Sequence, residues 1–323
     1  MTSARSNRCS TRLLVRAVVV AVSAWLAGCA APPPQDSSTP FADVSLKEPP
    51  SSYRGEDLLT PIVDVVAGST RRLHNAIQSR IRDCIADAGF SHFPVPFPAE
   101  RTPRLVDDQA WRAENAYGVA LHLAAVESPE QDRNAAYIEG LTVSELRAFE
   151  VAMFGSADDV VALTNDTGQE TGFYQAGGCL PTALEAEIGY DNGQMQYKLD
   201  VVEGRRNDAI EAMEADERWR ETWDEWEACM SAEGWEFADR RSAIDHVFQQ
   251  SGDDAALARR LEWQIVKSDD GCSLRLGTDD MIRQMRYSYQ SAAIDSLATY
   301  LAELPALEAE LPTLDLSPGS ETP

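Results

Sequence analysis

Four cysteines constrain the fold of this chain more than any other feature, because each occurs in a recognisable local context. Cys84 begins the stretch CIADAGF and Cys229 begins CMSAEGW, so each is followed at the same spacing by a glycine and an aromatic residue. Cys179, in GGCL, and Cys272, in DGCS, both directly follow a glycine. The two contexts recur in the same order, which favours two related halves with one disulfide in each.

Four cysteines allow three pairings, and spacing alone does not choose between them. The repeat of contexts predicts Cys84–Cys179 and Cys229–Cys272. Zinc ligation is the competing interpretation, but zinc sites usually bring ligands in pairs two to four residues apart. The chain contains no Cys-x-x-Cys or Cys-x-x-His, and its four histidines are scattered. We therefore expect no metal site, no cofactor and no redox-active cysteine pair.

Apolar residues recur at helical spacing along most of the chain, which predicts an all-α fold. The clearest stripe runs through TRRLHNAIQSRIRDCIADAG and ends at Gly89. Its counterpart in the second half is DERWRETWDEWEACMSAEG, with Asp216 as N-cap and Gly234 at the end. Thr142 and Glu145 have the spacing of a capping box. Alternation typical of strands is nearly absent, so we predict a disulfide-stapled helical bundle.

A proline-rich stretch, FSHFPVPFPAERTPR over 90–104, interrupts this pattern. Closely spaced prolines exclude a helix and favour an extended path. Because Phe90, Phe93 and Phe97 need apolar surroundings, we expect this segment to cross the helices and pack against them.

The N-terminus determines where the protein is expected to reside. Four arginines and no acidic residue precede a short apolar run, AVVVAVSAWLAG, which is typical of a secretory signal and too short to span a membrane comfortably. Leu26-Ala27-Gly28-Cys29 resembles the lipobox of bacterial lipoproteins. The resemblance implies cleavage before Cys29, a diacylglycerol (and palmitate) on that cysteine, and a cell-membrane anchor on the extracytoplasmic side. An even number of cysteines in an exported chain is typical of disulfides.

The domain organisation follows from composition. We predict a signal peptide over 1–28, a Pro/Ser-rich tether over 29–57, and a first helical half over 58–192. The second helical half is predicted over 193–305, followed by a flexible tail over 306–323.

The body also resembles a recurring pattern of exported proteins in GC-rich Gram-positive bacteria. The first half carries it in CIADAGFSHFPVP, AENAYGVA and GGCLPTALEAEIGY, and the second half in WDEWEACMSAEGWEF and LEWQIVKSDDGC. The resemblance implies a helical, disulfide-stapled, exported protein. It carries no activity and no site residue with it.

The net charge of −25 limits the classes of partner. Removal of residues 1–28 would leave −29, a surface that repels nucleic-acid phosphates. Nucleic-acid binding is therefore not expected, and a basic partner is favoured.

Motifs for chemistry are lacking. There is no Gly-x-Ser-x-Gly, Ser-x-x-Lys or His-Glu-x-x-His sequence and no phosphate-binding glycine loop. Adjacent acidic residues are frequent, and we interpret them as helix caps or solvated groups. They are the pairs at 107–108, 158–159, 253–254, 269–270 and 279–280. No catalytic residue is predicted, and we expect no enzymatic activity.

Trp219, Trp223 and Trp226 lie on one face of a predicted helix. Large aromatic residues at this spacing usually pack between helices. The alternative is an open platform for a glycan or an apolar ligand. Two functions are thus carried forward: a lipid-anchored, non-catalytic interaction module for an envelope protein, and a ligand-binding lipoprotein that uses these tryptophans.

Overall fold

A computed structural model describes residues 41, 43–97, 105–126, 133–156, 158–164 and 169–302 of the 323-residue chain. The predicted signal peptide, Cys29 and the predicted tail lie outside the described residues. The predicted all-α, disulfide-containing fold is confirmed, with one small antiparallel hairpin added. Within the described ranges, no helix is both long and apolar enough to cross a membrane.

The helices of the first part of the chain are α1 (Thr60–Val66), α2 (Arg71–Asp87), α3 (Gln109–Asn115), α4 (Val119–Val126), α5 (Arg133–Glu139) and α6 (Val143–Phe154). A hairpin of β1 (Val160–Thr164) and β2 (Glu170–Gln175) follows. The remaining helices are α7 (Cys179–Ile188), α8 (Asn192–Ala215), α9 (Glu217–Ala232), α10 (Arg240–Ser251), α11 (Ala255–Leu276) and α12 (Thr278–Leu301).

The predicted helix ends are confirmed where side chains define them. Thr142 and Glu145 form a reciprocal capping box at the start of α6. Asp216 caps α9 by accepting a hydrogen bond from the backbone N–H of Arg218. Gly89 and Gly234 follow α2 and α9 with positive φ angles of 87° and 91°, a conformation that favours glycine.

Two local features go beyond the predictions. Cys272 lies inside α11, with Gly271 accommodated within the helix, whereas Cys179 begins α7. The hairpin was not predicted, although VVALT contains the β-branched residues expected of a strand. Val160 pairs with Gln175 and Leu163 with Gly172. The hairpin packs against the start of α8, where Gly193 lies so close to the ring of Tyr174 that a Cβ at this position would clash with it.

The buried apolar residues form two clusters. The first combines α1, α2, α6 and α7 with α8 and α12, and includes Leu59, Ile85, Val202 and Met285. The second combines α9, α10 and α11 with Tyr117 and its neighbours in and before α4. Each core therefore takes residues from both sides of position 192. The packing interleaves the two predicted halves, while the boundary between them stays a prediction.

One disulfide serves each core, and both predicted pairings are confirmed. Cys84 in α2 bonds Cys179 at the start of α7, with the Cα atoms 5.6 Å apart. Cys229 in α9 bonds Cys272 in α11, with a Cα separation of 5.8 Å. Each bond therefore joins two helices that already pack together.

The described part of the proline-rich segment, residues 90–97, is extended and crosses the helices as predicted. Phe90 contacts Phe149 of α6, with ring centroids 5.7 Å apart. The backbone of Phe93 is fixed by Asn134, whose side-chain amide both accepts from its N–H and donates to its carbonyl at 2.8 Å. Residues 98–104 of the predicted segment lie outside the described residues.

The described part of the predicted Pro/Ser-rich tether over 29–57, residues 41 and 43–57, packs against the helices. We call these residues the strap, because they pack along α12. Phe41 and Tyr53 are 5% and 4% exposed and contact Tyr289 and Tyr287. The backbone N–H of Lys47 donates to the hydroxyl of Ser288 at 2.8 Å. Composition indicated a tether, but the aromatic side chains supply enough apolar surface to dock it.

The disulfide loops predict the response to their removal. We expect Cys84→Ala/Cys179→Ala and Cys229→Ala/Cys272→Ala to lower the free energy of unfolding by about 4 kcal/mol each, because the unfolded chain regains loop entropy. Urea denaturation of both double variants at pH 7 measures the loss. A wild-type midpoint in either variant would contradict the expectation.

Candidate functional site

The three tryptophans of the stripe pack against the two cores, and one of them is fully buried. Trp226 is 0% exposed, and its indole N–H donates to Asp269 at 2.7 Å. Trp223 packs edge-on against it at 5.4 Å and is itself covered by the guanidinium of Arg240 at 5.8 Å. Trp219 is half-buried and packs against the first core. Trp226 therefore packs between the helices, and the alternative of a platform does not include it, because a buried indole that binds a buried carboxylate presents no surface to a ligand.

A buried ion pair lies directly behind these tryptophans. The side chains of Arg240 and Asp269 are 2% and 0% exposed. Arg240 donates from Nε to Oδ2 of Asp269 at 2.8 Å and from Nη2 to Oδ1 at 3.0 Å. Its Nη1 reaches a second buried carboxylate, Asp107, at 3.0 Å. This two-bond geometry is the strongest that a guanidinium makes with a carboxylate.

A second fully buried arginine, Arg112 in α3, extends the pair into a network. It donates two hydrogen bonds to Asp279, at 2.7 and 3.1 Å, and one from Nε to Asp270 at 2.9 Å. It also donates to the carbonyl of Val106 at 2.7 Å. The network thereby connects α3, α10, α11 and the start of α12.

Three uncharged side chains also donate hydrogen bonds to the carboxylate of Asp269. The hydroxyls of Tyr117 and Ser273 and the indole of Trp226 donate to it at 2.9, 2.9 and 2.7 Å. Burial by itself raises the pKa of this carboxyl, but the charges of Arg240 and Arg112 and these hydrogen bonds lower the pKa to about 2. Asp269 is therefore ionised at neutral pH and cannot serve as a proton donor or acceptor there.

The capping interpretation of the acidic pairs is correct for some members and wrong for others. Asp108 caps α3 by accepting from Trp111, and Asp254 caps α11. Asp107 and Asp269, by contrast, bind buried arginines. A sequence signal for this existed: Glu262 and Asp269 share the buried face of α11 with Ile265, Cys272 and their neighbours. An acidic residue on an apolar helix face requires a buried partner.

A cavity of about 680 Å³ adjoins the network between α8, α12 and the strap. From α8 it is lined by Arg206, Ala209, Ile210 and Met213. From α12 it is lined by Arg286, Tyr289 and Gln290. The strap contributes residues 55–57, and Thr60, Pro61 and Leu105 complete the lining. This volume lies in the range of ligand-binding pockets.

The cavity is coupled to the network and to the strap. Nε of Arg286 lies 3.0 Å from Oδ2 of Asp107, the carboxylate that also binds Arg240. On the other side, Gln290 accepts a hydrogen bond from the backbone N–H of Leu58 at 3.0 Å. Tyr289 donates to Asp216 at 2.7 Å and stacks against Phe41. The walls are therefore held by contacts that do not involve a ligand.

The described residues contain no group of three or more His, Cys, Asp or Glu side chains that could hold a metal ion. The site thus consists of a largely apolar cavity with two arginines and two acidic residues, Glu56 and Asp57, next to ion pairs whose donors and acceptors already bind one another. Such an arrangement can bind and orient a molecule.

Loss of one network carboxylate should destabilise the protein strongly. We expect Asp269→Asn to lower the free energy of unfolding by about 3–5 kcal/mol, because it leaves Arg240 buried beside a neutral partner. Asp280→Asn is the control, since the side chain of Asp280 is 82% exposed. We expect it to change stability by about 0.5 kcal/mol or less. Urea denaturation at pH 7 compares the two.

The same carboxylate predicts a pH dependence. Its folded pKa of about 2 lies below the unfolded value of about 3.9, so its stabilisation is fully present above pH ~5 and is lost as pH falls through 2. Denaturation curves between pH 6 and 2 should therefore converge for wild type and Asp269→Asn as the pH decreases. Parallel curves over this range would contradict the assignment.

Comparisons with known proteins add no assignment to this geometry. No family model matches the chain, and neither the curated proteins nor the solved structures give a match. The resemblance to lipoproteins and to exported proteins of GC-rich Gram-positive bacteria accordingly stays an expectation from the sequence. The function has to be argued from the residues of this chain.

Proposed function

We propose that the protein is a lipid-anchored, non-catalytic interaction module on the extracytoplasmic side of the cell membrane. The observation that carries the proposal is the docked strap. Because Phe41 is already buried in the first core, only eleven residues lie between it and Cys29. Fully extended, they reach roughly 40 Å. Lipid on Cys29 would therefore hold the body close to the bilayer.

Three further features support this proposal. Two disulfides are typical of exported proteins. The interior is fixed by ion pairs that join four helices, so the surface presented to a partner is rigid. The net charge of −25 favours a basic partner, and confinement near the membrane raises the effective concentration for a partner there.

The second candidate is a ligand-binding lipoprotein, to which Trp226 offers no surface because it is buried. The observation that favours it is the cavity beneath the strap. The two candidates are compatible, because the cavity and the outer surface are different parts of the molecule.

Lipidation of Cys29 is tested by metabolic labelling with an alkyne fatty acid. We expect label on the wild-type protein and none on Cys29→Ala, since the acyl chains require that sulfur. Cys9→Ala is the control, because it removes a cysteine of the signal segment that the lipobox does not contain. Equal labelling of wild type and Cys29→Ala would refute the anchor.

Photo-crosslinking in living cells tests the partner. Photoreactive residues at Val143 and Leu274, which are 72% and 76% exposed, report on the first and second core separately. We expect one envelope protein to be captured from one of these positions, and capture to be lost in Cys29→Ala. In isolated membranes, raising NaCl from 0.1 to 0.5 M should weaken it, since salt screens exposed charges. Equal capture of many proteins from both positions would contradict a specific partner.

A further inference from the structure

We propose that the cavity between α8, α12 and the strap binds an amphipathic anion: an apolar body with a carboxylate or phosphate head group. The apolar body would lie against α8, and the head group would bind Arg286. This inference is independent of the anchor and of the partner protein, and purified protein suffices to test it.

The walls of the cavity provide the apolar part of the site. Ala209, Ile210 and Met213 fall on one face of α8, and Ala209 and Met213 are only 2% and 5% exposed. Leu105 and the ring of Tyr289 face the same space. An apolar body placed there would leave water, which stabilises binding in proportion to the area covered.

Arg286 provides the charge. Its one carboxylate neighbour within 4 Å among the described residues is Asp107, whose side chain is 5% exposed and is shared with Arg240. The side chain of Arg286 is itself 34% exposed and lines the cavity. The carboxylate that balances the charge of Arg286 is therefore buried and has little contact with solvent. A guanidinium carries five N–H donors, so donors remain for an anion in the cavity.

Arg206 lies at the other end of the cavity, and its positive charge is neutralised by an ion pair. Helices α8 and α12 run antiparallel, because Asp216 at the end of α8 binds Tyr289 whereas Lys198 near its start lies 5.2 Å from the ring of Tyr300. Arg206 and Arg286 are each the first lining residue of their helix, so they mark opposite ends of the cavity.

Arg206 forms an ion pair with Asp57, which also lines the cavity. The neighbouring lining residue Glu56 accepts a hydrogen bond from the backbone N–H of Arg54 at 2.7 Å and adds a second carboxylate at this end. The other oxygen of Asp57 accepts from the backbone N–H of Leu59 at 2.9 Å. This pairing neutralises the Arg206 end. The head group is therefore expected at Arg286.

The charge of the whole protein sets the selectivity. A net charge of −25 disfavours small free anions, which gain nothing from an apolar wall. An anion with an apolar body gains from both parts of the site. We expect acetate and inorganic phosphate not to bind at concentrations at which an amphipathic anion does.

Calorimetric titration of the purified Cys29→Ala protein, with both disulfides intact, tests the site. The probes are oleate and lysophosphatidylglycerol, each below its micelle concentration, with oleyl alcohol as the uncharged counterpart. We expect at least one anionic probe to bind at least tenfold more tightly than oleyl alcohol. Preference for oleate would indicate free fatty acids as the source of ligand, and preference for the lysolipid a membrane source.

Two variants locate the binding. Arg286→Gln should weaken the anionic probe tenfold or more and leave oleyl alcohol unchanged. Arg283→Gln, one turn earlier in α12 and paired with Asp280, is the matched control and should have no effect. Ile210→Trp keeps every charge and fills the cavity, so it should abolish binding of all probes. Thermal unfolding verifies that each variant is folded.

Three results would overturn the proposal. They are the absence of binding by both anionic probes, equal affinities for the anions and oleyl alcohol, and full binding by folded Ile210→Trp. None of them bears on lipidation or on crosslinking to a partner. Failure here is therefore distinguishable from failure of the proposed function.

Discussion

A guanidinium and a carboxylate that are both out of contact with water are stable only while they bind each other, and Arg240 and Asp269 are in this position. The packing of the second core depends on that contact. Asp269 also receives hydrogen bonds from Trp226, Tyr117 and Ser273, so three other side chains are oriented by one carboxylate. Apolar packing alone would tolerate small shifts of these helices, whereas hydrogen bonds to a single buried group do not.

The network also explains how the two cores are held together. Arg112 and Arg240 both bind Asp279, at the first turn of α12, and α12 then runs on through the first core. Asp107 binds both Arg240 and Arg286, and Arg286 lies at the edge of the cavity. The ion pairs, the cavity and the strap are therefore parts of one continuous set of contacts. A change in any of them is expected to reach the others through α12.

Local signals made much of the fold predictable. Helix periodicity, the cap at Asp216, the box at Thr142 and the repeated cysteine contexts all act over a few residues, and they were sufficient for the helices and the disulfide pairing. The network and the cavity join residues that are far apart in sequence, such as Asp107 and Arg286. No local sequence pattern predicts contacts between residues that are so far apart in the chain. Proline and serine content does not predict the docking of the strap, because the partners of its two aromatic residues lie near the other end of the chain.

The strap has a consequence for the order in which the protein can fold. Hydrogen bonds of the strap and of Leu58, which directly follows it, join residues 241 and 232 positions apart, from Lys47 to Ser288 and from Leu58 to Gln290. These contacts cannot form until α12 has been synthesised, because both partners on α12 belong to the last described helix. Contacts across such separations slow folding, because the entropy of closing a long loop is lost before the contacts contribute any stabilising free energy. The strap, the first described segment of the body, would thus be the last to dock, after synthesis of the helices is complete.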